Sequence, residues 1–266
     1  MKIIGFAQLR NELRKENLEN WFKCMNTVCD HIYIYDQDSD DDSQDLYRGE
    51  DKATVLESEI NDFSNEIQCK SLLLERLLQD HEDVDWIFWM DGDTLLDQRM
   101  LKNDGELFSS TLTGVDSFAP NVDCIKLGHY NLWRSDVHYR TDNSYHDLNS
   151  GGVNALWRNT GKLQFPRVSG LHHPQHPGGI TSFATAPFAL IHRGFATDYQ
   201  IMLKYDVYKS RGQSGNALER LLDEKDLNVE LLPEGLLPEW FGVVDSEDPR
   251  EKTPIRELYD AQNEGS

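Results

Sequence analysis

Two aspartates stand one residue apart at the end of an apolar segment, in the string WIFWMDGD at 86–93. A folded chain gains nothing by burying unpaired carboxylates, so a positive partner is expected. Mg²⁺ and Mn²⁺ take oxygen ligands and are commonly held by one or two carboxylates together with phosphate groups. Asp91 and Asp93 therefore predict a divalent-metal site, and Gly92 between them leaves space for a phosphate or for backbone.

Aspartate pairs of this spacing also occur in solvated turns, so the elements around them decide what they mean. The apolar run IIGFAQ at 3–8 predicts a buried strand, and the spacing of apolar residues over 17–29 predicts one face of a helix. HIYIYD at 31–36 predicts a second strand. Strand, helix and strand in this order indicate a βαβ unit with parallel strands.

The alternation continues as far as the aspartates. Residues 65–79 carry apolar residues on a helical stripe, and 84–96 predict a buried strand that runs into the acids. Such alternation predicts an α/β sheet covered by helices on both faces, in which ligands bind at the carboxyl ends of the strands. Three segments should therefore converge on one edge of the sheet: Ala7 to Asn11, Asp36 to Ser39 and Asp91 to Asp93.

The pattern is looser in the second half of the chain. Aromatic residues are dense over 118–160, where we expect β-structure and loops whose rings either stack on a sugar or fill the core. A last strand is expected at 188–192 and a helix at 199–210. We expect one α/β domain over 1–215 and a C-terminal extension over 216–266, with a helix at 218–227 and a flexible end.

The composition excludes several functions. Of the 266 residues, 47 are acidic and 26 basic, and the net charge of −21 repels nucleic acids and anionic lipid alike. No apolar stretch of about 18 residues exists and the start is charged, so we expect neither a transmembrane segment nor a signal peptide. A cytoplasmic protein is predicted, at most peripheral to a membrane. The four cysteines lack C-x-x-C spacing, which predicts buried free thiols.

The order of these strings is similar to that of a known family. IIGFAQLRNE, IYIYDQDSDD, a helix containing Lys70 and then DWIFWMDGD resemble the nucleotide-sugar half of GT-A fold glycosyltransferases, particularly the family 2-like enzymes. A second likeness covers ALIHRGFATDYQIMLKYDVYKS at 189–210. The resemblance implies a GT-A, Rossmann-like fold: a mixed, mainly parallel sheet flanked by helices. It also implies transfer of a sugar from a nucleotide-diphosphate donor to a glycan, lipid or protein acceptor.

The resemblance also implies roles for particular residues. Asp93 and His192 would hold Mn²⁺ or Mg²⁺, with Asp91 as a further ligand or as a contact to the ribose. The implied donor-binding residues are Asn11, Asp36 and Asp38 for the nucleoside, Lys70 for the base or phosphates, and Lys204 and Tyr208 for the diphosphate. The string DQDS at 36–39 departs from the two adjacent acids that relatives carry there.

The relatives are inverting enzymes, which implies a single displacement with one carboxylate as the general base. Asp142, in the string YRTDNSY at 139–145, is the first candidate, and Asp136 and Asp147 are the alternatives. Each of the three also has an ordinary explanation as a surface or turn-capping aspartate.

Several other functions fit the sequence less well than sugar transfer. The run QDSDDDSQD at 37–45 lacks the glycine and glutamate of a calcium EF-hand loop, and capping of the next helix explains most of its acids. His172, His173 and His176 lie in a rigid loop without the spacing of a zinc motif. A pyrophosphorylase would carry a glycine-rich loop after the first strand, which AQLRNE lacks. The alternative that stays open is a catalytically inactive nucleotide-sugar-binding module.

Overall fold

The βαβ unit expected at the N-terminus is present. The computed structural model describes residues 1–58, 65–142, 152–168 and 175–264. Strand β1 (Ile3–Leu9) leads through helix α1 (Leu18–Val28) to β2 (His31–Gln37), which pairs with β1 in parallel. Helix α1 forms because Leu18, Trp21 and Met25 recur at helical spacing and are all buried.

The described residues form an eight-stranded sheet in the order β3-β2-β1-β4-β8-β6-β9-β5, and β10 pairs with β7 separately. The further strands are β3 (Ala53–Ser58), β4 (Trp86–Trp89), β5 (Thr94–Leu96), β6 (Cys124–Asn131), β7 (His138–Arg140), β8 (Val153–Arg158), β9 (Phe183–His192) and β10 (Val229–Leu231). The further helices are α2 (Ser43–Gly49), α3 (Glu66–Asp80), α4 (Gln98–Phe118), α5 (Asp198–Ser210), α6 (Asn216–Glu219) and α7 (Ile255–Glu264). Parallel pairings join β3, β2, β1 and β4. Within this sheet, antiparallel pairings appear only in the part that runs from β4 to β5. The expected mixed, mainly parallel α/β sheet is thus confirmed.

Helices cover both faces of the sheet. Successive side chains of β1 point to opposite faces and pack against different helices. Ile3, Ala7 and Leu9 belong to the apolar cluster that includes α1 and α4, whereas Ile4 and Phe6 belong to the cluster that includes α3. This double burial explains why β1 is a continuous apolar run instead of an alternating one. Because helices cover both faces, a ligand site is expected at the carboxyl ends of the strands.

The strand that carries the acidic pair is shorter than the sequence predicts. β4 ends at Trp89, so Asp91 and Asp93 lie in the turn before β5. β5 pairs with β9 in antiparallel fashion, with Thr94 opposite His192. The backbone N–H of Arg193 also donates to the carbonyl of Asp93 at 2.7 Å. This register brings Asp93 beside His192 although they are distant in sequence.

The C-terminal extension packs on the domain around Arg134. The guanidinium of this fully buried residue donates to Asp198 at 2.5 Å, to Glu224 at 3.0 Å and to the carbonyl of Thr253 at 2.7 Å. The helix expected at 218–227 is limited to α6, and a helix, α7, begins at the buried Ile255 where a flexible end was expected. The domain boundary at about 215 stays a prediction.

The remaining expectations about the interior are met in part. All four cysteines are free and buried. Trp133 and Trp157 are fully buried, so these two aromatic residues fill the core and do not form a sugar-binding wall. None of the described helices has the length and apolar character that crossing a bilayer requires.

Candidate active site

A cleft of about 460 Å³ opens at the carboxyl ends of β1, β2 and β4. Its size lies in the range of small-molecule sites, and its position is the one at which open α/β sheets bind ligands. The walls come from the segments after β1 and β4, from the end of β9 and from α5. The predicted residues that line it are Asn11, Asp91, Asp93, His192, Lys204 and Tyr208.

The cleft is nearly neutral in formal charge, within a strongly acidic protein. Its basic lining residues are Arg10, Arg14, Lys15, Lys204 and Arg211, and its acidic ones are Glu12, Asp40, Asp91 and Asp93. Basic side chains thus outnumber acidic ones here, whereas acidic residues outnumber basic ones by 47 to 26 in the whole chain. This local reversal favours an anionic ligand.

Three polar side chains meet at the centre of the cleft. Nζ of Lys204 lies 2.8 Å from Oδ2 of Asp93 and 3.4 Å from Nε2 of His192, and that same Oδ2 lies 3.3 Å from Nε2. The face of Phe195 lies 4.5 Å from the ammonium group. We call Asp93, His192 and Lys204 the central cluster.

The side chains of the central cluster shift one another's pKa values. Burial opposes ionisation of Asp93, but the neighbouring His192 and Lys204 hold its pKa well below the usual value. Burial likewise opposes the charged form of Lys204, and Asp93 outweighs it, so the pKa of Lys204 is raised. The side chain of Asp91 is exposed and lines the cleft. Desolvation by the protein around it, and then repulsion by Asp93, raises the pKa of Asp91 to about 6.

Because Gly194 has no side chain, the polar atoms of the central cluster can pack against it. A methyl group added to Gly194 would lie 2.7 Å from Nε2 of His192, and closer still to Oδ2 of Asp93 and Nζ of Lys204. The carboxylate oxygen and the imidazole nitrogen suit Mn²⁺ or Mg²⁺ in chemical type. In this structure the ammonium group of Lys204 lies beside both atoms.

The described residues bring together only two of the side chains expected to bind a metal. The described part of the chain contains no group of three or more His, Cys, Asp or Glu side chains arranged to hold a metal ion. Nδ1 of His192 is buried and has no hydrogen-bond partner among the described residues, whereas a metal-bound histidine usually donates that N–H to an acceptor. Asp93 and His192 therefore fit as a pair of ligands, and further ligands would come from Asp91, water or substrate.

The acidic residues at the end of β2 and after it bind neighbouring protein groups. The carboxylate of Asp36 is fully buried and accepts from Ser39 and from Nε2 of Gln44 at 2.6 Å, so it closes its own turn instead of facing the cleft. Asp38 also lies outside the cleft lining. Asn11 lines the cleft, with its side chain in two hydrogen bonds to Asp40. Roles of these residues in nucleoside binding stay predictions.

Lys70 lies behind the cleft and not in its lining. Its buried ammonium group pairs with Glu66 at 2.6 Å and faces the ring of Trp89 at 4.6 Å. Its charge nevertheless acts on Asp91, whose pKa it lowers against the dominant effect of burial. A role of Lys70 in binding a base or phosphate stays a prediction.

The aspartates considered as general bases have structural partners. Asp142 accepts from Nε of Arg140 at 2.6 Å and does not line the cleft. Asp136 is buried and accepts from the backbone N–H groups of Val244 and Asp245. Asp147, His172 and His173 lie outside the described residues, and the described His176 does not line the cleft. The base role of Asp142 stays a prediction.

Asp142→Asn separates a structural role from a catalytic one. Because Arg140 and Asp142 are both largely buried, we expect the substitution to lower the free energy of unfolding by about 1–3 kcal/mol and to leave nucleotide affinity unchanged. Chemical denaturation and nucleotide titration measure both. A variant with wild-type stability that has lost turnover would instead support the base role.

Sequence reasoning missed Glu12, which packs against Gly92. Gly92 is buried, and a methyl group on it would lie 2.7 Å from Cγ and Cδ of Glu12 and 2.8 Å from Cδ2 of Leu9. The glycine therefore makes room for Glu12, which pairs with Lys15 at 2.7 Å. Gly92 also lines the cleft, and approach of a phosphate to it stays a prediction. A carboxylate three residues after the end of a buried strand was the available signal for Glu12.

Gly92→Ala should destabilise the protein by about 1–3 kcal/mol, because the added methyl group displaces Glu12 and Leu9. Urea denaturation measures the loss. Gly114→Ala is the matched control: it lies within α4, a methyl group there meets nothing within 4 Å, and we expect a gain of about 1 kcal/mol. Equal stability of Gly92→Ala and the wild type would contradict the packing described for Glu12.

Comparison with known proteins gives structural neighbours only. No protein-family model matches the chain, and no curated protein matches it. A glucosyl-3-phosphoglycerate synthase from Mycobacterium tuberculosis, in complex with Mn²⁺, UDP and glucosyl-3-phosphoglycerate, is 14% identical over 48% of this chain and 44% of its own, with a TM-score of 0.30. The complex with Mn²⁺ and UDP-glucose is 16% identical, with a TM-score of 0.31. The chain thus spans less than half of the synthase's length.

One further neighbour matches over more of the chain. A protein from Desulfovibrio desulfuricans G20, provisionally assigned as a nucleotide-diphospho-sugar transferase, is 11% identical over 85% of this chain and 96% of its own, with a TM-score of 0.41. With TM-scores below 0.5 and identities of 16% or less, none of these neighbours assigns an activity to this chain.

Proposed function

We propose that this chain is a glycosyltransferase that moves a sugar, with inversion, from a nucleoside-diphosphate donor to an acceptor hydroxyl, and that it depends on Mn²⁺ or Mg²⁺. The observation that carries the proposal is the central cluster in its cleft, where the missing side chain of Gly194 lets Asp93, His192 and Lys204 meet. The synthase from M. tuberculosis that resembles the chain was solved with Mn²⁺ and UDP.

The charge distribution suits a diphosphate leaving group. Negative charge grows on the diphosphate as its bond to the sugar breaks, and fixed positive groups stabilise it most in the transition state. Lys204 and Tyr208, one turn apart on α5, line the same wall of the cleft. We assign them to the diphosphate. Asp93 and His192 would hold the divalent ion, which supplies further positive charge to the same phosphates when bound.

Nucleotide titration tests the proposal. Isothermal titration of the full chain with UDP, GDP, UMP and uridine, each with Mn²⁺ and with a chelator, should give the tightest binding for a diphosphate with Mn²⁺. A donor-hydrolysis assay with a panel of nucleotide sugars follows. Binding of uridine and UDP with equal affinity, regardless of Mn²⁺, would contradict the proposal, because the phosphates and the metal would then contribute nothing.

A nucleotide-sugar-binding module without turnover is the second candidate. Two observations favour it: Lys204 lies between Asp93 and His192, and neither Asp142 nor Asp136, the two described aspartates proposed as the base, lines the cleft. The same experiments separate the two functions. Metal-dependent binding of a diphosphate without hydrolysis or transfer for any donor and acceptor tested indicates the module.

A further inference from the structure

The ammonium group of Lys204 and a divalent ion cannot share the central cluster. Lys204 already lies 2.8 Å from Oδ2 of Asp93 and 3.4 Å from Nε2 of His192, the two atoms that a metal would use. A metal beside both atoms would come within a few ångströms of the ammonium group, and like charges at that range repel strongly in a recessed site. One cation must leave when the other arrives.

Lys204 has the reach and the partners for such an exchange. Its side chain is flexible and ends in a compact charge, and it is about one-quarter exposed to the cleft. Tyr208 and Arg211 follow it along the same wall, where an anionic ligand would bind. A diphosphate in the cleft would therefore offer Lys204 a new anionic partner when it leaves Asp93.

We propose that Lys204 is a built-in counter-ion of Asp93 that the divalent metal displaces, and that this exchange couples metal binding to diphosphate binding. The inference rests on the proposed function and adds the order of events at its site. Without a diphosphate, the metal must expel Lys204 from its ion pair, so it binds weakly. With a diphosphate, Lys204 transfers to the phosphates and frees Asp93. By linkage, each ligand then raises the affinity of the other by the same factor.

Manganese titration of the full chain tests the exchange without any measurement of activity. Free Mn²⁺ is followed by electron paramagnetic resonance, with and without UDP, for the wild type and for Lys204→Met. We expect Mn²⁺ alone to bind at least about tenfold more tightly to Lys204→Met, because no cation has to be displaced. The factor by which UDP and Mn²⁺ strengthen each other should shrink in that variant.

Two further variants complete the experiment. Lys204→Gln keeps a neutral hydrogen-bond donor beside Asp93 and replaces Lys204→Met if the latter does not fold; we expect the same direction of change. Lys15→Met removes another cleft cation, one that pairs with Glu12 and not with Asp93, and should leave the affinity for Mn²⁺ alone unchanged.

The outcomes separate this inference from the proposed function. Equal affinity of the wild type and both Lys204 variants for Mn²⁺ alone, together with Mn²⁺-dependent binding of UDP, would overturn the counter-ion role and leave the proposed function standing. Tighter Mn²⁺ binding by the variants without any binding of UDP to the wild type would keep the displacement of Lys204 but overturn the coupling and the proposed function.

Discussion

Asp93→Asn should weaken Mn²⁺-dependent binding of UDP at least about 100-fold, or about 2.7 kcal/mol. The substitution keeps the size of the side chain but removes the only carboxylate that contacts both His192 and Lys204 among the described residues. What remains is an imidazole beside an ammonium group, which repels a metal ion instead of holding it. Titration of UDP at saturating Mn²⁺ measures the loss.

The same variant should also be less stable than the wild type. The carboxylate of Asp93 is the ion-pair partner of Lys204, and both side chains are largely buried. We expect the free energy of unfolding to fall by about 1–3 kcal/mol. Asp83→Asn is the matched control, since Lys2 and Asp83 form an exposed ion pair of 2.7 Å outside the cleft. Wild-type affinity for UDP in Asp93→Asn would remove Asp93 from the donor site.

Gly194→Ala should abolish binding of Mn²⁺ and UDP almost as completely, although it changes no charged group. The added methyl group would occupy the space between Asp93, His192 and Lys204, at distances that no carbon atom tolerates from their polar atoms. The φ angle of Gly194 is not in the left-handed region, so the backbone accepts alanine and the effect is confined to the side chains. We expect at least about a 100-fold loss of affinity.

Gly49→Ala is the control for this experiment. Gly49 ends α2, has no positive φ and has nothing within 4 Å of an added methyl group, so binding should be unchanged. Thermal denaturation shows whether each variant is folded. A folded Gly194→Ala that binds Mn²⁺ and UDP like the wild type would mean that the space beside Gly194 is not where the cation binds.

The convergence of the site could be predicted because it follows from strand order. The alternation of strands and helices brought the segments after β1, β2 and β4 to one edge, and the structure has the cleft there. The contact of Asp93 with His192 was expected only from the family resemblance. Its cause is the pairing of β5 with β9, and a three-residue strand at the far edge leaves no periodic signal in the sequence.

Orientation of individual side chains could not be predicted in the same way. Asp36 and Lys70 stand at positions that suggest contact with a ligand, yet both are buried against partners on their own segments. A carboxylate at a strand end can bind either a ligand or its own turn, and Ser39, three residues later, was the sign of the second. Gly194 was missed because a glycine that leaves space for other side chains looks like any loop glycine.

The three contacts of Arg134 predict what truncation would do to this protein. Two of its partners, Glu224 and the carbonyl of Thr253, belong to the extension, whereas Asp198 begins the helix that carries Lys204. In a fragment that stopped near residue 215, the fully buried guanidinium of Arg134 would keep Asp198 as a partner and lose the other two. The C-terminal extension therefore holds in place the helix that carries Lys204, and truncated variants should keep all residues up to 253.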